Sequence, residues 1–229
     1  MCDELPKITS SLEAYDALVY ALQKLLIKKA EKEALTSFDI SDLDSNAINL
    51  YSFIDYLLWE NFEGEILTLV VAGLYELYFK DLYDDYIVDV HPVNQSGASS
   101  KEVSDLDVYR GGVLYICNEL KHKPFSDHDL RHAADKVISE RKNQMYFIIG
   151  RGVFFDNISI KSCLDEYLDK GFLIHIVPID FFVSTILGLI ENIDADFYVK
   201  YVLQTAIDTK FKQETITFIR DATLEQFGV

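Results

Sequence analysis

Over roughly the first eighty residues apolar side chains recur every three or four positions; from Tyr86 segments of period two begin. Leu12, Tyr15, Leu18, Val19, Leu22, Leu25 and Leu26 form the first stripe. Residues at that spacing share one side of an α-helix. Ser10 followed by Glu13 matches a capping box, and the helix is expected to run to about Ala34. The polar stretch Thr36–Asn46 reads as a linker, and a short helix is expected over Ala47–Trp59. A third helix covers Phe62–Asp81, with Ile66, Leu69, Val70, Gly73, Leu74, Leu77 and Tyr78 on one face. Glu65 and Glu76 fall on or near its polar side, where a solvated helix face is the plain reading.

Tyr86–His91 alternates and is β-branched, so it predicts a strand. Pro92–Ser100, with Asn-Gln-Ser-Gly inside it, reads as a loop. Asp105–Tyr109 and Val113–Leu120 are the next two strands, joined by Gly111-Gly112 as a hairpin turn. Ser126 or Asp127 caps a helix over Asp129–Lys142, and Met145–Ile149 is a buried strand. Ser159–Lys170 is a helix stopped by Gly171, Phe172–Val177 the last strand, and Pro178 starts a helical tail to about Phe227. The fold class is therefore α/β (α+β), a mixed sheet flanked by helices with additional N- and C-terminal helices. The expected organisation is an N-terminal helical region over 1–60, a core over 61–180 and a C-terminal helical region over 181–229 packed on the core.

The chemistry concentrates at the open end of the predicted hairpin. Glu119 and Lys121 sit two residues apart on a strand and point the same way. Asp105 opens the strand before, and the hairpin brings it beside them. The strand carrying Glu119 and Lys121 is otherwise strongly apolar, so a carboxylate and an amine near its end call for a reason. An exposed strand face with a salt bridge is the bland alternative. Two carboxylates and an ammonium on one small surface suit metal-assisted phosphodiester cleavage.

Ser104-Asp105, a short strand, Gly111-Gly112, a second strand and Glu119-Leu120-Lys121 resemble the PD-(D/E)XK nuclease motif, with Ser104 in place of the usual proline. The continuation from Lys121 to Ala133 is similar to type II restriction endonucleases of the SacI kind. The resemblance implies a restriction-endonuclease-like core. It makes Asp105 and Glu119 ligands of Mg²⁺, with the carbonyl of Leu120, and gives Lys121 the attacking water to orient or activate. Asp107 shares a face with Asp105 and is the rival first acid; Asp105 is preferred because it opens the strand. Family members often add an acid from the preceding helix, a role open to Glu65 or Glu76. Lys123, Arg131, Lys136 and Arg141 are candidates for DNA phosphate contacts. His128 and His132, four residues apart on one helix, can hold zinc or form a polar helix face.

Composition changes this picture in one respect. The net charge is −17, which argues against nucleic acid. Ser99–Lys142 holds eight Lys or Arg and eight Asp or Glu, so the acidity lies outside the candidate site. It still predicts weak non-specific binding to DNA at physiological salt. No apolar run reaches the length of a membrane span. Met1–Pro6 lacks a basic region followed by an apolar one, so no signal peptide is expected. Cys2, Cys117 and Cys163 lack ligand spacing and read as reduced thiols of a cytoplasmic protein.

The sequence thus predicts a Mg²⁺-dependent endodeoxyribonuclease acting on double-stranded DNA, of the type II restriction kind. A homodimer and a cognate DNA methyltransferase as genetic partner go with it. A repair or phage-defence nuclease of the same superfamily is the alternative. A catalytically silent acidic protein-binding module is the reading from another class.

Overall fold

The computed structural model describes residues 10–36, 43, 45–92 and 103–228. Two compact units are present, Met1–Asp39 and Ile40–Val229. The first holds helix α1 (Ser11–Thr36). Its N-terminus is closed by the expected capping box: the Glu13 N–H donates to Ser10 Oγ, and the Ser10 N–H to Glu13 Oε2, each at 3.2 Å. Most of the linker expected over Thr36–Asn46 and of the loop expected over Pro92–Ser100 lies outside the described residues, as does Cys2.

The second unit is built on a five-stranded mixed sheet in the order β1-β2-β3-β4-β5: β1 (Tyr86–Val90), β2 (Leu106–Arg110), β3 (Val113–Lys121), β4 (Gln144–Ile149) and β5 (Leu173–Pro178). The first three strands form an antiparallel meander, and β4 and β5 run parallel to β3. Parallel neighbours need crossovers. These are α4 (Asp127–Ser139) and α5 (Asn157–Asp169). Both helices cover one face of the sheet through a core that includes Cys117, Leu130, Val137, Phe147, Cys163 and Tyr167. Cys117 and Cys163 are buried free thiols.

The other helices of this unit are α2 (Ala47–Leu57), α3 (Glu65–Phe79), α6 (Ile179–Leu189), α7 (Ala195–Asp208) and α8 (Gln213–Phe227). The predicted C-terminal tail is thus three helices. α3 packs against β1, α6 and α7, while α2 packs on α6 and α8. This central position corrects the expected polar side of α3: Glu65 is buried and Glu76 half-buried. The expected helix to Lys142 also ends earlier, at Ser139. Arg141 turns there to a positive φ of 61° and redirects the chain into β4.

The β2–β3 hairpin sets the geometry of everything that follows. Gly111 and Gly112 have φ of 56° and 71°, the double positive φ of a two-residue type I′ turn. From the turn, Arg110 pairs with Val113 and Tyr109 with Leu114; then Val108 pairs with Ile116 and Leu106 with Asn118. Tyr115 is the extra residue of a β-bulge. A regular hairpin on this turn would set Asp105 opposite Asn118 and on the face away from Glu119, because a one-residue slip exchanges the two faces. The bulge absorbs one residue and sets Asp105 opposite Glu119.

Candidate active site

Asp105, Glu119 and Lys121 meet on the α4 side of the sheet, at the open end of the hairpin. Asp105 Oδ2 accepts the backbone N–H of Leu120 at 2.9 Å, and Lys121 Nζ lies 2.7 Å from Glu119 Oε1. The Glu119 and Lys121 side chains are only 14% and 17% exposed. Parallel pairing puts Phe147 of β4 beside Glu119, and the Lys121 ammonium lies 5.8 Å from the centre of the Phe147 ring. Asp105, Leu120, Lys121, His122 and Lys123 line a cavity of about 110 Å³, closed on the other side by Gly64 and Thr68 from the start of α3. Gly64 has φ of +96°, and a Cβ there would stand 2.3 Å from the His122 ring. The α3 start therefore packs directly on the residue after Lys121.

Burial pushes the Asp105 carboxyl above the ordinary aspartate range; the Leu120 N–H, Lys121 and Lys136 offset this in part. Glu119 is likewise raised, first by burial and then by the negative charge of Asp105. Burial alone would lower Lys121, but Glu119 and Asp105 outweigh it and hold the ammonium protonated above its usual range. The site thus carries two facing acids and one fixed cation.

The donor set fits a hard dication. Mg²⁺ is held by one or two carboxylates with several waters, and here two carboxylates stand across one strand pair, with Leu120 the residue after Glu119. Among the described residues no three His, Cys, Asp or Glu side chains cluster as metal ligands, so His128 and His132 gain no third partner for zinc.

The other predicted residues are distributed as follows. Asp107 is fully buried and hydrogen-bonded. Glu65 follows the cavity-lining Gly64 but is bonded to α8: it accepts the Lys212 N–H at 3.1 Å and the Thr215 hydroxyl, closing the start of that helix. Glu76 accepts the Tyr86 hydroxyl at 2.8 Å, and burial raises its pKa. Of the cations, Lys123 lines the cavity and Lys136 contributes positive potential at both acids. Arg131 is engaged by Glu166 at 2.6 Å and Asp127 at 3.4 Å. Arg141 is exposed. Sequence reasoning missed Ser104 as a hydrogen-bonding residue, Asn118 and Tyr75. Asn118 was the one with a signal: it is a buried amide in an apolar strand, and such a group needs partners.

Residues 40–151 match the family model of the SacI restriction endonuclease C-terminal domain. The match spans a little under half of the chain and runs from before α2 to just past β4, so it contains Asp105, Glu119 and Lys121. The SacI-type similarity therefore covers the meander, α4 and the first parallel strand, and agrees with a restriction-endonuclease-like core. A comparison with curated proteins gives no match. Among the described residues no helix is long and apolar enough to cross a membrane.

Proposed function

We propose that this chain is a Mg²⁺-dependent endodeoxyribonuclease of the type II restriction kind, hydrolysing phosphodiester bonds of double-stranded DNA at Asp105, Glu119 and Lys121. The observation that carries this reading is the meeting of the two carboxylates across the bulged β2–β3 pair with a protonated amine beside them, inside the stretch similar to SacI. Mg²⁺ held by Asp105, Glu119 and the Leu120 carbonyl would polarise the scissile phosphate and make its water more acidic. Lys121, kept cationic by the two acids, is suited to orienting that water and to stabilising charge on the phosphoryl oxygens. Lys123 and Lys136 bring positive charge to an otherwise acidic protein, where the phosphate backbone must approach.

One such site cuts one strand, so cleavage of both strands at a palindrome needs two copies related by a two-fold axis. α1 leaves Leu18, Leu22, Leu25 and Leu26 at least half exposed, apolar surface that a second copy would cover. Of the aromatic residues that invite a dimer surface, Phe53 and Tyr198 are spent in the core, whereas Trp59 is 75% exposed. A cognate DNA methyltransferase encoded beside this chain belongs to the same reading.

Incubation of supercoiled plasmid with the protein in Mg²⁺ and in EDTA tests the activity. Linear product in Mg²⁺ alone is the expected result; no breakage in either buffer would leave the binding-module reading standing. Light scattering with duplex in Ca²⁺ tests the dimer, and a monomer giving only nicks would favour a repair nuclease.

A further inference from the structure

The rival for the place of first acid has a different set of neighbours from Asp105. Asp107 lies two residues into β2, opposite Cys117, on the sheet face shared with Asp105 and Glu119. It is wholly buried. Its Oδ2 accepts the backbone N–H of Val103 at 3.2 Å and of Ser104 at 3.4 Å, with His91 Nε2 3.4 Å away. Its Oδ1 accepts the Ser104 hydroxyl at 2.5 Å. The Ser104 oxygen also accepts the Asn118 N–H at 2.9 Å. Asn118 Nδ2 donates to the Leu106 carbonyl at 3.1 Å, and the Tyr75 hydroxyl donates to Asn118 Oδ1 at 2.8 Å. Both oxygens of Asp107 are thus committed to donors, and the network fixes the backbone on either side of Asp105 to β3 and α3.

We propose that Asp107 is a positioning residue: it holds the Val103–Ser104 turn so that Asp105 stands opposite Glu119, and it binds no metal itself. The proposal rests on the preceding reading of Asp105 and Glu119 as a metal site. A ligand must offer lone pairs to the cation, and those of Asp107 face two N–H groups and a hydroxyl. Its position inside the strand, rather than at the cavity, agrees. What Asp107 does is satisfy two backbone donors that the start of β2 leaves unpaired, and lock the serine that bridges to Asn118.

The chemistry separates the two roles. In Asp107→Asn the amide oxygen can still accept the Val103 and Ser104 N–H groups, while the amide NH₂ donates to Ser104 Oγ and the serine hydroxyl turns to the Leu106 carbonyl. The network survives without the charge. A metal ligand gains nothing from that rescue, because an amide replaces a carboxylate. Loss of a group that orients a ligand typically weakens metal affinity by about 10–100-fold.

The test is Mn²⁺ binding to the full chain without DNA, read by electron paramagnetic resonance. Circular dichroism checks that each variant is folded. Asp105→Asn should abolish binding. Asp107→Asn should stay near the unsubstituted protein, and Asp107→Ala should weaken binding about tenfold or more. Ser104→Ala keeps the two N–H bonds of Asp107 but cuts the bridge to Asn118, and should weaken binding in the same direction; it decides the question if Asp107→Ala does not fold. Loss of binding in Asp107→Asn equal to that in Asp105→Asn would make Asp107 a ligand and overturn the proposal. Unchanged binding in folded Asp107→Ala would overturn it too, while leaving the metal site intact. Absence of Mn²⁺ binding in the unsubstituted protein would sink the metal reading and this proposal together.

Discussion

Two of the places where this molecule buries carboxylates do so on opposite terms. Glu65, 7% exposed, sits among donors: the Lys212 N–H and the Thr215 hydroxyl close on it, and it caps the first turn of α8, where a helix start favours an anion. Asp105 and Glu119 face each other across β2 and β3. Glu119 Oε1 meets Lys121, and Asp105 Oδ2 meets one backbone N–H. Burial raises both, and the charge of Asp105 raises Glu119 further. Burial alone therefore does not mark a functional acid. Two acids with fewer donors than their charge requires are the stronger candidates, because a cation can supply what the protein withholds.

The largest effect should come from removing the cation that the paired acids hold. Lys121→Ala is expected to slow plasmid cleavage at saturating Mg²⁺ by roughly 10²–10³-fold, the cost typical of losing one charge-stabilising group. DNA binding in Ca²⁺, measured by gel shift, should be largely retained. A variant that cuts at near the normal rate would remove Lys121 from the chemistry and dissolve the contrast with Glu65.

The converse substitution probes the satisfied acid. Glu65→Ala leaves the Lys212 N–H and the Thr215 hydroxyl without their partner, and is expected to cost about 1–3 kcal/mol of stability in urea unfolding. Cleavage per folded molecule should be unchanged. A specific loss of activity without loss of stability would place Glu65 in the site after all.

The smallest effect has the opposite sign. A carboxyl whose pKa is raised on folding binds its proton more tightly in the folded state, so its ionisation works against folding. That penalty is absent near the ordinary aspartate value of about 3.9 and grows as pH climbs through the raised value of the folded protein. Asp105→Asn keeps the Leu120 N–H bond and removes the charge. At pH 8 it should melt at a higher temperature than the unsubstituted protein. The gap should close as pH falls toward 4 in a thermal-melt series. A destabilised Asp105→Asn at pH 8 would mean that Asp105 is as well satisfied as Glu65.

The element order was legible because helical and strand periods separate cleanly at Tyr86, and because Gly111-Gly112 marks the turn without ambiguity. The acid–acid–amine set was legible as residue types at strand spacing. The device that brings Asp105 opposite Glu119 was not: Tyr115 carries no sign that it is a bulge, and regular pairing counted from the turn would have put Asp105 on the wrong face. Glu65 was misplaced because a helix packed on several sides buries its polar positions as well, and the partner that made burial tolerable, the start of α8, lies about 150 residues away. Periodicity reports the face of an element, not which distant donor will meet it.

The most direct test of the central claim is to digest random-sequence or genomic DNA with the purified protein and map the ends. Mg²⁺-dependent breaks at one short palindromic sequence, absent in EDTA and absent with Lys121→Ala, are the predicted result. Breaks that persist unchanged with Lys121→Ala, or no Mg²⁺-dependent breaks at all, would contradict it.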